Sequence, residues 1–309
     1  MRNIIYYFKS VIRKIIKDNK LLYNIYTNIR YRKHAKIRNW VLSNQKFIID
    51  NNLSCFVMCG EKSYIKINND VDFLYVPELF GGVLGLEKKG GFEEIEIKYV
   101  IETMKAGSVI VDVGANFGFY SVLLAKRIKN SFVYSFEPVP STYKILSENV
   151  FHNNLNTSIV INNCALGDSI GKTLITTNKY SGNHIIFNNK YFDDIIEVPV
   201  TTLDNYVLEN NIDRIDFIKC DIEGAELFFL KGALNTIKRD LPDIFIEISE
   251  VWTSRFGYGA DDVVKFLKNL GYSYEIFSSD RKVIKNSHNI MHDIKIGTNF
   301  YFSKESGAS

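Results

Sequence analysis

The chain has 309 residues, 46% of them apolar and 24% charged, and a net charge of +3. That balance suits a globular chain with a sizeable buried core and excludes a disordered polyelectrolyte or a collagen-like repeat. No apolar run approaches the ~18 residues of a membrane span and no signal peptide is evident. Cys55, Cys59, Cys164 and Cys220 have neither zinc-site spacing nor the pattern of a disulfide framework. A cytoplasmic location with buried free thiols is the expectation.

Residues 1–42 differ from the rest. Ile4, Ile5, Phe8, Val11, Ile12, Ile15 and Ile16 recur at helical spacing, interleaved with Arg2, Lys9, Arg13, Lys14, Lys17 and Lys20. A second basic cluster, Arg30, Arg32, Lys33, Lys36 and Arg38, carries Tyr31 and Trp40 with it, and Asp18 is the only acid in the stretch. The pattern predicts a basic amphipathic helical extension. Such a stripe packs on the protein body or on a second copy in a homo-oligomer, or lies peripherally on an anionic inner membrane face. A nucleic-acid contact would rest on charge alone, because no base-reading motif is present.

Residues 43–91 alternate in short apolar pieces, Phe47–Ile49, Cys55–Met58, Tyr64–Ile67 and Phe73–Val76, and end in a glycine-rich loop. They predict a small antiparallel β preface. Residues 92–309 form the main domain. A helix over Glu93–Met104 leads to a strand, Val109–Val113, a glycine turn and a second helix. Strand and helix then alternate: strands at Phe132–Phe136, Ser158–Asn162, Ile215–Cys220, Ile244–Ile248, Tyr274–Phe277 and Asn299–Phe302, and helices at Pro140–Phe151, Leu203–Asn210, Ala225–Ile237 and Ala260–Leu270. Residues 172–200 read as an inserted hairpin or long loop. This alternation predicts an α/β, mostly parallel, doubly wound sheet.

The acids fall where strands end: Asp112, Glu137, Asp221 with Glu223, and Glu247. In an open α/β sheet that rim is where ligands bind. Glu137 lies about 20 residues past the glycine turn, the place of a carboxylate that accepts hydrogen bonds from ribose hydroxyls. The turn, Gly114-Ala115-Asn116-Phe117-Gly118, lacks the third glycine of a dinucleotide cradle, which argues for an adenosyl ligand without a pyrophosphate.

The run Asp112-Val113-Gly114-Ala115-Asn116-Phe117-Gly118-Phe119-Tyr120 resembles the first motif of S-adenosylmethionine-dependent methyltransferases. Together with FEPVP, CALGD, VPVTTLD and IKCDIEGAE in that order, it is similar to the FkbM family of methyltransferases over roughly residues 90–278. The resemblance implies a Rossmann-like class I sheet of seven strands with an antiparallel last strand, S-adenosyl-L-methionine as cofactor, and O-methylation of a sugar or natural product. It implies that Asp112, Gly114, Asn116 and Gly118 border the methionine end of the cofactor, Glu137 the ribose and Asp168 the adenine. Phe92 and Glu93 would close the pocket.

A sugar hydroxyl is a poor nucleophile, so a positioned base is expected. Glu223 is the favoured candidate, His184 its rival, and Asp221 and Glu247 are adjacent strand-end acids. Glu226 at a helix start has an equally good structural reading as a partner of the helix dipole. Asp204 reads as a helix cap, and His288 and His292 as surface residues. No third ligand accompanies Asp221 and Glu247, so no metal is expected. Tyr180, Trp252, Arg255 and Tyr258 are candidates to line an acceptor pocket. Two other classes stay open: a nicotinamide-dependent oxidoreductase, disfavoured by the glycine pattern, and a non-enzymatic, membrane-docked binding protein, suggested by residues 1–42.

Overall fold

The computed structural model describes residues 55–59, 62–67, 71–74, 93–177, 185, 194–278, 283–285 and 289–304. The basic extension, Phe92, Tyr180, His184 and His288 lie outside the described residues. The chain divides into two compact units, Met1–Asp70 with Tyr75–Pro77, and Val71–Leu74 with Glu78–Ser309. In the first, β1 (Cys55–Cys59) pairs antiparallel with β2 (Lys62–Ile67), as the alternating pattern predicts.

The second unit begins with β3 (Val71–Leu74). Two of the strand's amides donate to side chains far along the chain. Asn149 Oδ1 accepts from the Leu74 amide at 2.7 Å, and Asn153 Oδ1 from the Asp72 amide at 3.0 Å. Phe73 packs against Phe117 and Phe119, with ring centroids at 5.6 and 5.9 Å.

After α1 (Glu94–Thr103) come β4 (Val109–Val113), α2 (Phe119–Arg127), β5 (Phe132–Phe136), α3 (Pro140–His152) and β6 (Ile159–Asn162). β7 (Ala165–Leu166), β8 (Gly171–Thr176) and β9 (Ile195–Thr201) form a small separate sheet, with β8 and β9 antiparallel. The expected insertion is thus a hairpin. Next are α4 (Leu203–Glu209), β10 (Phe217–Cys220), α5 (Glu226–Gly232), α6 (Leu234–Asp240) and β11 (Asp243–Glu247). α7 (Glu250–Thr253) runs into a 3-10 turn, Ser254–Phe256; α8 (Ala260–Asn269), β12 (Tyr272–Phe277), β13 (Val283–Lys285), α9 (Ile290–Asp293) and β14 (Asn299–Lys304) complete the chain.

The main sheet has the order β13-β12-β14-β11-β10-β4-β5-β6. From β11 to β6 every neighbouring pair is parallel, and β14 runs antiparallel to both β11 and β12. These seven strands form the mostly parallel, Rossmann-like sheet with an antiparallel last strand that the resemblance implies, to which the three-residue β13 adds an edge. Ile110, Val111 and Val113 in β4 and all four residues of β10 are buried, as expected of parallel strands covered on both faces. The chain winds outward from β4 to β6, then returns and winds the other way from β10. The β4–β10 boundary is therefore the topological switch point, where the carboxyl ends open a crevice.

One local expectation is corrected. The single helix expected over Ala225–Ile237 is two, broken at Ala233 (φ −110°, ψ 4°). Asp204, read as a helix cap, caps the second of the two and explains the break. Its carboxylate accepts from the Asn235 and Thr236 amides at 3.0 and 2.8 Å, giving α6 its own amino-terminal cap. Thr202 caps α4, accepting from the Asn205 amide at 3.0 Å.

Candidate active site at the switch point

The glycine turn is held from below by one carbonyl. The amides of Gly114 and Ala115 both donate to Phe136 O, at 3.0 and 2.9 Å, and Gly118 N donates to Ala115 O at 2.8 Å. Gly114, Asn116 and Gly118 all have positive φ (73°, 51° and 91°). At Gly114 the glycine is required by packing as well. A Cβ there would sit 2.0 Å from the Asp221 carbonyl oxygen and 2.9 Å from Ile222 Cγ2. The turn thus lies directly on the end of β10.

Glu137 follows β5 and is buried. Its Oε2 accepts from the Asn116 amide at 2.9 Å and its Oε1 from the Val139 amide at 2.9 Å. It therefore fixes the left-handed Asn116 as well as its own loop. Burial pushes its carboxyl up to about 7, against the pull of those two amides. Asp112 is fully buried beneath the turn and accepts from Ser121 Oγ at 2.5 Å, and Ser121 contacts Ser135 Oγ at 2.7 Å. This carboxylate supports the turn from inside the sheet.

Glu93, Asp221, Glu223 and Glu247 gather above. Burial raises Glu93 to about 7, with a Tyr120 hydrogen bond pulling down and Asp221's charge pushing up. Burial likewise raises Glu223 to about 7, helped by the charges of Asp221 and Glu226, while Arg255 opposes. Glu247 is raised well above the ordinary carboxylate range, first by the charge of Asp221 and then by burial, and it shares a hydrogen bond with that residue. Glu247 therefore holds on to its proton beside Asp221.

Glu223 sits on a strained corner, with φ 55° followed by Gly224 at 104°. Glu226 braces it, its buried Oε1 accepting from the Gly224 amide at 2.9 Å. The Tyr258 hydroxyl donates to Gly224 O and accepts from the Leu227 amide. A Cβ on Gly224 would lie 2.7 Å from the Trp252 carbonyl, so this corner rests on α7. Arg255 stacks 4.0 Å over the Trp252 ring. Trp252, Arg255 and Tyr258 therefore flank Glu223.

Asp168 is not brought to this group. It is exposed, accepts from Ser169 Oγ at 3.2 Å, and its Cα lies 3.1 Å from where a Gly232 Cβ would be. Gly232 ends α5, roughly 9 Å of helix away from Glu226 at its start. No group of three metal-ligating side chains occurs among the described residues, and no described helix is long and apolar enough to cross a membrane.

Sequence reasoning passed over Lys219. Its ammonium is 3.3 Å from Gly114 O, 3.7 Å from Asp112 Oδ1 and 3.6 Å from Asp221 Oδ2, and it lies 5.3 Å from the Tyr120 ring centre. Its side chain is only 6% exposed. The available signal was a lysine inside the buried strand Phe217-Ile218-Lys219-Cys220, a position where a charge is retained only if paired. Tyr120, read as an ordinary helix residue, faces the same group.

The family model for the methyltransferase FkbM domain matches residues 112–274. Methyltransferase sdnD of Sordaria araneosa is 27% identical over 164 residues, 43% of this chain and 63% of that protein. The hexuronic acid methyltransferase AglP of Haloferax volcanii is 24% identical over 189 residues, 61% of this chain and 73% of that protein. The chain thus spans less than two thirds of the sdnD length. A crystal structure of an FkbM methyltransferase from Methylobacillus flagellatus KT superimposes with a TM-score of 0.43 at 20% identity, covering 64% of this chain and 44% of that one.

Proposed function

Because this chain belongs to the FkbM methyltransferase family, we propose that it transfers a methyl group from S-adenosyl-L-methionine to a hydroxyl oxygen of a glycan, a glycolipid precursor or a natural product. The observation that carries the reading is the charge of the crevice. Glu93, Asp221, Glu223 and Glu247 converge there, and Lys219 is the cation buried among them. Carboxylates whose ionisation is opposed by burial and by one another favour a cationic ligand, and the donor is a sulfonium. A pyrophosphate would meet the opposite field, which speaks against a nicotinamide dinucleotide. The relationship to a hexuronic acid methyltransferase supports a sugar as the acceptor.

The residues fit that donor. Each Glu137 oxygen spends one lone pair on a backbone amide and keeps another for a ribose hydroxyl. The sulfonium supplies an activated methyl group, so the protein's tasks are alignment and proton management. Glu223 is the base of this proposal. A carboxyl raised to about 7 takes a proton from a hydroxyl more readily than an ordinary one and is still about half ionised at neutral pH. Glu226 and Tyr258 hold the corner that aims it. Glu247, hydrogen-bonded to Asp221, lines the neighbouring wall beside Glu223.

The test uses methyl-labelled S-adenosylmethionine with neutral hexoses, hexuronic acids and fractionated cell extract, the products being identified by mass spectrometry. Label on a hydroxyl oxygen supports the reading, and Glu223→Gln should then lower kcat by roughly 10²–10⁴-fold. Label found only on nitrogen or carbon, or an undiminished rate in that variant, contradicts it.

A further inference from the structure

We infer that Lys219 is a positioning residue that ties the glycine turn to the acceptor-side acids and acts as their buried counter-charge. The inference rests on the methyl-transfer reading above, but its core is geometric. Lys219 is the residue of β10 that pairs with Asp112 in β4. From there its ammonium reaches the Gly114 carbonyl in the turn after β4 and the Asp221 carboxylate at the end of its own strand. The two strands that flank the switch point are thereby joined through a single charged group.

An ammonium has three donors. The Gly114 carbonyl takes one at 3.3 Å, and Asp112 and Asp221 stand at ion-pair distance on either side. Burying a lysine this deeply costs its hydration, and only several anions offset that cost. Titratable groups face it from every element around it, and the carboxyls among them supply the opposing charge. Asp112 comes from β4 and Glu137 from the end of β5. Glu93 and Glu96 come from the start of α1, and the Tyr120 ring from α2. Asp221, Glu223 and Cys220 are from its own segment, Glu226 opens α5, and Glu247 ends β11. Arg255 is the opposing cation, acting on Glu223 from α7's side. Lys219 lowers the proton affinity of Asp112, Glu93, Glu137 and Glu223 alike, and is itself held charged by Asp221 and Asp112.

The consequence is specific. With Lys219 present Glu93 and Glu223, each raised to about 7, are about half ionised near neutral pH and can give up their remaining protons to a cationic donor. Without it the carboxylates retain protons to higher pH, and the crevice loses the charge that complements the sulfonium. A filler of the core would have no such effect on titration.

The test compares wild type, Lys219→Met and Lys219→Arg. Folding is checked by circular dichroism. The proton change on binding S-adenosylmethionine is measured by calorimetry in buffers of different ionisation enthalpy from pH 5.5 to 9. The inference predicts that Lys219→Met shifts the pH of maximal proton release, and the acid limb of kcat/KM, upward by about one to three units. Lys219→Arg, which keeps the charge with different donor geometry, should hold both within about half a unit while lowering kcat. A folded Lys219→Met with unmoved proton linkage overturns it. If Lys219→Met does not fold, Lys219→Arg decides alone: a limb displaced upward by a unit or more overturns the counter-charge role. Failure of wild type to bind S-adenosylmethionine would instead overturn the proposed function, so the two failures are distinguishable.

Discussion

Gly114→Ala should damage this protein far more than Gly107→Ala, although both glycines have left-handed backbones, φ 73° and 80°. An alanine in that region costs roughly 1–2 kcal/mol at either position. At Gly107 nothing lies within 4 Å of the added carbon, so the backbone term is the whole effect. At Gly114 the carbon would lie 2.0 Å from the Asp221 carbonyl oxygen, about 1 Å inside ordinary contact. Relief requires the end of β10 to move away from the turn. That movement stretches the neighbouring bond from Asp221 N to Val113 O, now 3.1 Å. Overpacking of about 1–3 kcal/mol and a lost backbone bond of about 1 kcal/mol put the excess over Gly107→Ala at roughly 2–4 kcal/mol. For a unit of this size that is an extra fall in Tm of about 5–15 °C. Differential scanning calorimetry of both variants decides. Midpoints within about 2 °C of each other would show that the turn does not rest on β10 as described.

Glu137→Gln keeps the shape of the side chain but presents an NH2 to one of two amides, Asn116 or Val139, leaving donor against donor. The cost is about 1–3 kcal/mol in thermal unfolding. Titration with S-adenosylmethionine should give a Kd weaker by roughly 10–100-fold, whereas unchanged affinity would remove Glu137 from the site. The pH dependence of stability has a definite sign. Glu93, Glu137, Glu223 and Glu226 are raised to about 7 in the folded chain from 4.5. The fold therefore prefers them protonated, and stability falls as pH rises from about 4.5 to 7, then levels. One fully buried group of this kind is worth about 3 kcal/mol across that window. Tm of the ligand-free protein should thus be higher at pH 5 than at pH 8, and a Tm that rises over this range contradicts the assignment.

Much of the sheet was legible because its signals are local. Buried β-branched runs broken by glycine turns identify β4, β5, β10 and β11, and the acids at their ends identify the rim. What escaped depends on distant partners. The break at Ala233 comes from Asp204, about thirty residues earlier, so the apolar periodicity through Ala225–Ile237 carries no trace of it. The hydrogen bonds that hold Val71–Leu74 from Asn149 and Asn153 come from side chains that read as ordinary helix polar positions. Within the site, the gathering of Glu223, Asp221 and Glu247 followed from strand-end placement. Glu226 emerged as a brace for the Glu223 corner, and Asp168 lies near the far end of α5 because the chain turns into the β7–β9 sheet. Lys219 was visible only as a charge in an apolar strand, and its meaning required the strand opposite.

The central claim is that the crevice at the switch point binds a cationic adenosyl donor. Isothermal titration at pH 8 of wild type with S-adenosylmethionine, its neutral product S-adenosylhomocysteine, and NAD tests it directly. The account predicts saturable binding of both adenosyl ligands, a preference for the sulfonium that shrinks when the titration is repeated at pH 5.5, and no binding of NAD. Binding of NAD alone, or a sulfonium preference that grows as the carboxylates are protonated, would contradict it.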